Sequence, residues 1–452
     1  MKLLRRCSHN MGYCGSLRSG VFIISVLSVA TIMLNKVTVD MYSGNTPYTA
    51  PSRIGERKVH IIGSDRVQSG IQKSTPNNRK QKSTPNNRKS KVIPRGGTRC
   101  PSVLDNMSKG HWKQRVMTKQ EVFTQEKFLN HSRKQISIIS PISRPDGLCG
   151  NFTLPYNRQA RALCYPTSKT PCCFNNRCVA LPEEKCRCKN CYDVRQRVHA
   201  EYATWIPADK RCSFHVFTGK EACQLLANST LFLFGDSHFR HFYTAMLMLL
   251  RNDPIGGGLK DKDRHSNVTL KKCPGPYQFG SKECRPTLEL KAKPLCNGSF
   301  NLKYISHTKA SQGPDLYNKI KAPGRRKKTL AMISLAAREG NNVTKFMEYL
   351  KPALNFVKNT SFKYPKLMWA NGHAPGLLKS PVYERQGLQY MKKANDNMHK
   401  LLRPLGIPVF DTFNMTSTTI SFDGTHYGYG ATTAKVQLLL NYLKELQGKH
   451  QW

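Results

Sequence analysis

The C-terminal half of the chain alternates short apolar runs with amphipathic segments. Four short, mainly apolar runs have the length of buried strands, at 231–234, 330–335, 366–370 and 407–410. Four segments with apolar residues three and four positions apart have the pattern of helices, at 239–250, 343–357, 384–402 and 431–446. This order predicts an α/β domain over 225–452, with a mainly parallel sheet and helices on both of its faces. The stretch 252–328 is predicted to be irregular.

Polar residues follow the predicted strands directly. Ser237 follows the first strand, and the segments 336–338, 371–373 and 411–426 follow the other three. The carboxyl ends of parallel strands lie at one edge of a sheet, where ligands bind. We therefore expect these four segments to meet at one site.

The first 39 residues predict a membrane anchor. An apolar run over 21–34 follows a basic tail, 1–19, and is shorter than the roughly 20 residues of a full bilayer span. Extended to 20–39, it predicts a tilted signal-anchor helix with a cytosolic N-terminus, hence a single-pass type II protein. The alternative is a cleaved signal peptide, although no convincing small-residue cleavage site follows.

A basic, low-complexity stem is predicted over 40–145. It contains a tandem polar nonamer that starts at Lys73 and again at Lys82, in which Lys-Ser-Thr-Pro-Asn-Asn-Arg-Lys is followed by Gln81 in the first copy and Ser90 in the second. Two polar, proline-bearing copies cannot bury a core, so this segment is interpreted as a solvated linker. The alternative is that its clustered cations contact anionic glycans or lipid headgroups.

A cysteine-rich module is predicted over 146–224. Two of the sixteen cysteines, Cys7 and Cys14, precede the anchor, and the other fourteen are an even number, as paired disulfides require. The spacing Cys188-Lys-Asn-Cys191 is also compatible with zinc. The adjacent pair Cys172-Cys173 and the scarcity of nearby histidines favour disulfides, with a connectivity that sequence does not determine.

Asn-x-Ser/Thr sequons are frequent after the anchor, which agrees with a lumenal, glycosylated surface. The predicted glycosylation sites are Asn106, Asn130, Asn151, Asn228, Asn267, Asn297, Asn342, Asn359 and Asn414.

Ser237, Asp423 and His426 are the candidate catalytic residues. Ser237 follows a buried strand at the predicted start of a helix, and Asp423 precedes His426 by three residues. His426 would accept the serine proton, and Asp423 would orient the imidazole. Each motif has a structural alternative, because Gly-Asp-Ser is also a helix cap and Asp-x-x-His is common in surface loops.

Several other residues are candidates for the oxyanion hole or for substrate contacts. The backbone N–H of Ser237 is the first expected donor, and a glycine of 256–258 the second. The full set of candidates is Asp236, Arg240, Gly257, Arg338, Asn371 and His373. His238, His241 and His373 are rival bases, although His238 and His241 are not expected to point at the Ser237 hydroxyl. No histidine set has zinc-ligand spacing, so no metal is predicted.

The segments 235–240 and 423–426, behind a basic-flanked anchor, resemble the PC-esterase branch of the SGNH/GDSL superfamily. The match extends to Trp205, Pro207, Cys212 and Cys223 and covers roughly 200–448. The chain is similar to neurexophilin-and-PC-esterase-domain proteins and to plant trichome-birefringence-like polysaccharide acetyltransferases. The resemblance implies a three-layer α/β/α fold, a Golgi-type location and a Ser-His-Asp site acting on glycan O-acetyl groups.

The sequence departs from this pattern in one place. Related hydrolases often present Gly and an Asn, Gln or His after the second apolar strand, where this chain has Ala336-Ala-Arg338. Arg338 or Asn371 would have to supply the oxyanion side chain, and without one the domain would bind glycans without turnover.

Charge and resemblance together suggest the reaction partners. The chain has a net charge of +45, and residues 147–452 hold 46 Lys and Arg against 20 Asp and Glu. A basic lumenal domain attracts an anionic glycan or coenzyme A, whereas a lumenal setting excludes nucleic acid. The predicted function is acetyl transfer from acetyl-coenzyme A, as donor substrate and not as a bound cofactor, to a glycan in the Golgi. Glycan O-acetyl ester hydrolysis and catalytically silent glycan binding are the alternatives.

Overall fold

The computed structural model describes residues 100–135, 144, 146–154, 158–188, 190–291, 293–322, 328–335, 337–360 and 364–452. The predicted cytosolic tail, anchor and tandem nonamer lie outside these residues. Within the described ranges no helix is long and apolar enough to cross a membrane.

Thirteen strands are described. In chain order they are β1 (Gly110–Gln114), β2 (Gly150–Leu154), β3 (Arg158–Ala162), β4 (Cys172–Phe174), β5 (Arg177–Val179), β6 (Cys191–Tyr192), β7 (Ala203–Pro207), β8 (Ser229–Gly235), β9 (Lys293–Leu295), β10 (Phe300–Ser306), β11 (Thr329–Ile333), β12 (Lys366–Ala370) and β13 (Val409–Phe410).

Eleven α-helices are described. They are α1 (Lys119–Gln135), α2 (Gly219–Leu225), α3 (Ser237–Leu250), α4 (Asp261–Arg264), α5 (Asn267–Lys272), α6 (Tyr277–Gly280), α7 (Gly313–Lys321), α8 (Val343–Asn359), α9 (Leu388–Leu402), α10 (Phe413–Ser417) and α11 (Tyr429–Gly448).

The central sheet has six strands in the order β13-β12-β11-β8-β10-β9. Neighbouring strands are parallel throughout, except that β9 runs antiparallel to β10. β8 is at the middle, and all seven of its residues are buried. A strand covered on both faces is apolar without alternation, which explains why its sequence is a continuous hydrophobic run.

The two faces of the sheet carry separate helical layers. Leu231 and Leu233 pack into one core, which includes residues of α3 and α11. Phe232 and Phe234 pack into the other, with residues of α7, α8 and α9. Successive side chains of a strand point to opposite faces. The prediction of an α/β domain with a mainly parallel sheet and helices on both faces is confirmed, and the arrangement has three layers.

The prediction that 252–328 is irregular is wrong, because the stretch contains several helices and strands, of which β10 and α7 belong to the three-layer core. β10 lies beside β8 in the central sheet, and α7 covers one face. β10 is the sequence Phe-Asn-Leu-Lys-Tyr-Ile-Ser, in which apolar and polar residues alternate at first. Only Phe300 and Leu302 of this strand are buried. β10 was therefore not predicted, because its sequence is not a continuous apolar run.

The predicted stem of 40–145 extends too far. β1 pairs with β7 from Gly110 opposite Pro207 onward, and a disulfide joins Cys100 to Cys212. Trp112 and Trp205 pack edge to face with ring centroids 5.3 Å apart. The described residues from Cys100 to Gln135 are therefore part of the folded body, and Trp112 among them helps to complete its core.

All fourteen cysteines that follow the predicted anchor are paired, as the disulfide hypothesis required. The bonds are Cys100–Cys212, Cys149–Cys173, Cys164–Cys178, Cys172–Cys186, Cys188–Cys191, Cys223–Cys296 and Cys273–Cys284. The zinc alternative for Cys188 and Cys191 is wrong, because a disulfide sulfur is not a thiolate ligand.

Residues just before the predicted module boundary at 224 contact the α/β domain. The small sheets β2–β3 and β4–β5–β6 form the cysteine-rich segment, which ends near Tyr192. After it, the amide of Phe217 donates to the Gln437 Oε1 atom of α11 at 2.8 Å, and Gly219 lies against the Leu249 carbonyl of α3. Residues 194–225 therefore belong to the α/β body.

The nine predicted glycosylation sites are accessible. Asn106 and Asn342 are half-buried and the other seven are exposed. Their modification stays a prediction.

Candidate active site

A strand, a tight turn and a helix place Ser237. Gly235 ends β8, and a Cβ there would lie 2.6 Å from the Phe239 ring and 3.0 Å from the Ser334 carbonyl oxygen, so only glycine fits. Asp236 is the N-cap of α3, since its carboxylate accepts the His238 N–H at 2.9 Å. Ser237 is the first residue of the helix and remains half-buried at the carboxyl end of β8. The structure thus gives the candidate Asp236 a capping role.

The second candidate segment is a loop before α11. Gly424 has φ +81°, and a Cβ there would lie 2.2 Å from the Lys379 backbone nitrogen. The Ser421 hydroxyl accepts the Gly424 N–H at 2.9 Å and donates to the His426 carbonyl at 2.7 Å. This tight turn fixes Asp423 and His426 relative to each other.

The loop and the helix bring the three candidate catalytic side chains into one chain of hydrogen bonds. The Ser237 Oγ atom lies 2.7 Å from His426 Nε2, and His426 Nδ1 lies 2.6 Å from Asp423 Oδ2. With Asp423 ionised, Nδ1–H donates to the carboxylate, so Nε2 accepts the serine proton. This is the geometry of a serine nucleophile, a general base and an orienting acid.

Asp423 is held in its ionised form. Burial alone would raise its pKa, but the charge and hydrogen bond of His426 bring the pKa below its ordinary value. The backbone N–H groups of Thr425 and His426 add bonds of 2.8 and 2.6 Å to Oδ1. Oδ1 accepts the backbone bonds and Oδ2 accepts the imidazole bond, so the carboxylate both shapes the turn and orients the base.

Three further histidines surround His426 without contacting the serine hydroxyl. His238 Nε2 donates to the Thr425 carbonyl at 3.1 Å, and Arg240 donates to His241 Nε2 at 3.2 Å. The His373 ring packs on the His238 ring with centroids 4.2 Å apart. Burial lowers the pKa of His238 to about 4, and it lowers the pKa values of His241 and His373 well below the usual range. The rival-base hypotheses for these residues receive no geometric support.

A buried lysine lies behind this histidine cluster. Lys435 of α11 has its Nζ atom 3.2 Å from both ring nitrogens of His373 and 5.3 Å from the centroid of the Tyr427 ring. A cavity of about 20 Å³ beside it has room for roughly one water molecule. Burial lowers the pKa of Lys435 from about 10.5 to about 7. No carboxylate lies within ion-pair distance of Lys435 among the described residues.

Replacing Lys435 with methionine should change how stability depends on pH. Between about pH 7 and pH 10 the unfolded wild-type chain binds the lysine proton that the folded chain releases, so wild-type stability rises over this window. A difference of one bound proton over these three pH units changes the free energy of unfolding by about 4 kcal/mol. We expect the Lys435→Met chain to be more stable than wild type by the largest margin below pH 7. This margin should shrink by about 4 kcal/mol by pH 10.

Denaturant unfolding at both pH values measures this change, with Lys444→Met, an exposed lysine of the same helix, as the matched control. An advantage of Lys435→Met that is equal at pH 6 and pH 10 would contradict the buried, partly neutral lysine.

Of the two predicted backbone donors to the oxyanion, the Ser237 N–H is available and the Gly257 N–H is not. The Ser237 N–H is at the first position of α3, where no residue of the same helix accepts it, and it remains a donor. Gly257 is wrong as a donor, because its N–H bonds to the Asp253 carbonyl at 3.0 Å. A Cβ on Gly257 would touch Met248, near the opposite end of α3 from Ser237. The glycines 256–258 therefore lie beyond the C-terminal end of α3 and do not reach the site.

Asn371 lies near the site but its amide is engaged. Nδ2 donates to Asp411 at 3.1 Å, and Oδ1 accepts the Trp369 indole N–H at 3.1 Å. The residue is 3% exposed and lines the cavity behind the histidines. The structure thus gives Asn371 a part in holding the ends of β12 and β13 together, and not the oxyanion role predicted for it.

Arg240 is close to Ser237 and to two further arginines. Arg240 is one turn after Ser237 on the same face of α3, and its buried Nε has no hydrogen-bond partner. Burial lowers the pKa of Arg240, and the charges of Arg285 and Arg338 lower it further, so three guanidinium groups lie near one another. Within the described ranges none of the three has a carboxylate within ion-pair distance. Arg338 is exposed and is free to contact a ligand.

Lys379 and Lys435 lie at the site but were not among the predicted site residues. Lys379 is 9% exposed, and its Nζ donates to Thr425 Oγ1 at 2.9 Å and to Gln386 Oε1 at 2.5 Å. Burial lowers its pKa to about 8. Lys435 had a detectable signal, a lone cation in an otherwise apolar part of a helix. Lys379 is in a loop, where no periodicity marks it.

Comparisons with known proteins give limited similarity. No protein-family model and no curated protein matches the chain. Similar solved structures include Est24, a carbohydrate acetylesterase from Sinorhizobium meliloti (13% identity), a putative arylesterase from Agrobacterium tumefaciens (17%) and the aryl esterase of M. smegmatis (15%). Each comparison covers 48% of this chain and 99% of the other, with a TM-score of 0.30. Identities this low assign no role to any residue of this chain, and each role is inferred from the contacts of the residue itself.

Proposed function

We propose that this protein is an acyl-transfer enzyme that acts on glycan O-acetyl groups through an acetyl-Ser237 intermediate. The hydrogen-bonded series from Ser237 through His426 to Asp423, with distances of 2.7 and 2.6 Å, is the observation that carries this proposal. A serine hydroxyl is a weak nucleophile at neutral pH, and a positioned imidazole is what activates it. As a helix cap alone, Gly-Asp-Ser would not require an Asp-oriented imidazole at the hydroxyl.

In the first half-reaction the Ser237 Oγ attacks the acetyl carbonyl while its proton moves to His426 Nε2. The ionised Asp423 stabilises the imidazolium that forms. The Ser237 N–H, at the positive end of the α3 dipole, donates to the developing oxyanion. Collapse of the tetrahedral intermediate breaks the bond to the leaving group, which takes the proton from Nε2.

In the second half-reaction the acceptor hydroxyl gives its proton to His426 Nε2 as its oxygen attacks the acetyl-serine. The serine is regenerated when the proton returns to Oγ. A sugar hydroxyl as acceptor gives an O-acetylated glycan, and water gives acetate. We favour the sugar acceptor and acetyl-coenzyme A as donor, following the resemblance to glycan O-acetyltransferases.

The cluster Arg240, Arg285 and Arg338 supports an anionic reaction partner. Arg240 is one turn after Ser237, Arg285 and Arg338 are near Arg240, and none of the three has an ion pair among the described residues. An anion would therefore gain favourable interactions there without displacing an existing ion pair. Acetyl-coenzyme A and an acidic glycan both meet this description.

The proposed location is the Golgi membrane, with the catalytic domain in the lumen. The seven disulfides support an oxidising compartment. The anchor over 20–39 and the type II orientation remain predictions, as does glycosylation.

Ester hydrolysis is the second candidate, because Ser237 is half-buried and not sealed from water. Incubation of the purified full-length chain with acetyl-coenzyme A and a glycan pool, and separately with an O-acetylated glycan in buffer, distinguishes the two reactions. For a transferase we expect Ser237-dependent O-acetylation that exceeds donor-free acetate release by at least tenfold. Acetate release alone would establish an esterase, and glycan binding that survives Ser237→Ala without any turnover would establish a silent binding protein.

A further inference from the structure

A groove opens where the cysteine-rich segment meets the loop between β12 and α9. It has a volume of about 680 Å³, within the range of ligand sites. Arg161, Arg187 and Tyr192 line it from the cysteine-rich side, and Tyr383 and Tyr390 from the loop and the start of α9. We call it the junction groove.

The junction groove is cationic. Its four basic side chains are Arg161, Arg187, Arg197 and Lys379, whereas Glu384 is the one carboxylate among the described residues that line it. The three arginines have no ion pair within the described ranges. They come from separate segments of the wall, an arrangement that suits negative charges repeated along a chain.

Arg161 is held rigidly across the junction. Its Nε donates to Asn151 Oδ1 at 2.9 Å, one terminal nitrogen donates to the Leu377 carbonyl at 3.0 Å, and the guanidinium lies 4.3 Å from the Tyr192 ring centroid. The other terminal nitrogen has no partner among the described residues. A pre-positioned donor of this kind loses little side-chain entropy when it binds an anion.

The groove also offers aromatic faces. Tyr383 is 54% exposed and Tyr390 is 48% exposed, so two large, amphipathic side chains are accessible in the groove. The C–H faces of pyranose rings pack on such rings while the sugar hydroxyls reach polar groups around them. Cations and exposed tyrosines together match an acidic oligosaccharide better than a neutral sugar or an apolar ligand.

The floor of the groove is continuous with the catalytic loop. Lys379 lines the groove and donates to Thr425, the residue before His426. Gly424 packs so closely against Lys379 that a Cβ would lie 2.2 Å from its backbone nitrogen. The groove and the catalytic loop therefore share Lys379.

We infer that the junction groove binds an acidic oligosaccharide and presents one of its sugars to Ser237. The inference rests on the proposed function and adds that the cysteine-rich segment forms half of the acceptor site. Arg187, which is exposed and has no ion pair within the described ranges, would pair with a carboxylate or sulfate, and Tyr390 would stack on a sugar ring.

Binding to the Ser237→Ala chain tests this inference separately from turnover. Calorimetry would compare a heparin-derived hexasaccharide, which is sulfated, an oligogalacturonide, which carries only carboxylates, and neutral xylohexaose. We expect at least one acidic hexasaccharide to bind tenfold or more tightly than xylohexaose. Arg187→Gln and Tyr390→Ala should each weaken that binding about tenfold. The matched controls are Arg177→Gln and Tyr165→Ala, which lie in the cysteine-rich segment outside the groove.

Two results would overturn the inference. One is binding that does not prefer an acidic chain or does not respond to the groove variants. The other is displacement of the bound glycan by coenzyme A in a manner that depends on Arg187 and Tyr390, which would assign the groove to the donor. If the wild-type chain shows no Ser237-dependent hydrolysis of p-nitrophenyl acetate but glycan binding is retained, the proposed reaction is rejected while the binding role of the groove is supported.

Discussion

Replacing Ser237 with alanine should lower kcat/KM for p-nitrophenyl acetate by about 10⁴-fold or more. The change removes only the Oγ atom, which lies 2.7 Å from His426 Nε2, and with it the only route to an acyl-serine. Folding should be unaffected, because Asp236 and not Ser237 caps α3. The measurement is initial-rate kinetics together with the unfolding temperature of both chains.

Ser306→Ala is the matched control for this variant. Ser306 ends β10, pairs in register with Gly235 and is exposed at the same edge of the sheet. Its loss should change the rate by less than about twofold. A Ser237→Ala chain that retains more than a tenth of the wild-type rate would show that another group carries the acyl chemistry.

Replacing Asp423 with asparagine should lower kcat by about 10⁴-fold at neutral pH. The asparagine carbonyl can still accept the two backbone N–H bonds that shape the turn, but its NH₂ group cannot accept the His426 Nδ1 proton. The imidazole then favours the tautomer with a proton on Nε2, which cannot take the proton of Ser237. Because the wild-type pKa of Asp423 is below its ordinary value, wild-type activity should not lose this carboxylate until the pH falls below about 4.

A second Asp–His pair provides the control for Asp423→Asn. His307 Nε2 lies 2.9 Å from Asp315 Oδ2, with the Tyr349 hydroxyl on the other ring nitrogen at 2.7 Å. Asp315→Asn makes the same chemical change without touching the triad, and we expect activity within about twofold of wild type. Equal losses in the two variants would mean that Asp423 acts only through the stability of the fold.

The strands and helices that could be predicted from sequence are those with an unambiguous period. β8, β11 and β12 are continuous apolar runs, and α8 and α11 match the predicted segments within two residues at each end. β10 was not predicted because its apolar and polar residues alternate at first. The predicted stem extends too far because Trp112 is an isolated aromatic in a polar context. Its partner, Trp205, is 93 residues away in sequence, and no local pattern carries that information.

The triad could be predicted because each of its motifs has a local structural context. A serine at a strand-to-helix turn and an Asp-x-x-His turn are both visible in sequence, and their meeting follows from parallel strands ending at one edge. The oxyanion hole could not be predicted in the same way. The partners of Gly257 and Asn371 are set by tertiary packing, which places the first at the far end of α3 and occupies the amide of the second.

Covalent labelling of the serine tests the central claim most directly. The purified full-length chain would be treated with a fluorophosphonate, which reacts with an activated serine hydroxyl, and the modified peptide identified by mass spectrometry. We predict stoichiometric modification of Ser237 in the wild-type chain and none at that residue in His426→Ala. Modification at another serine, or Ser237 labelling that persists without His426, would contradict a nucleophile activated by the His426–Asp423 pair.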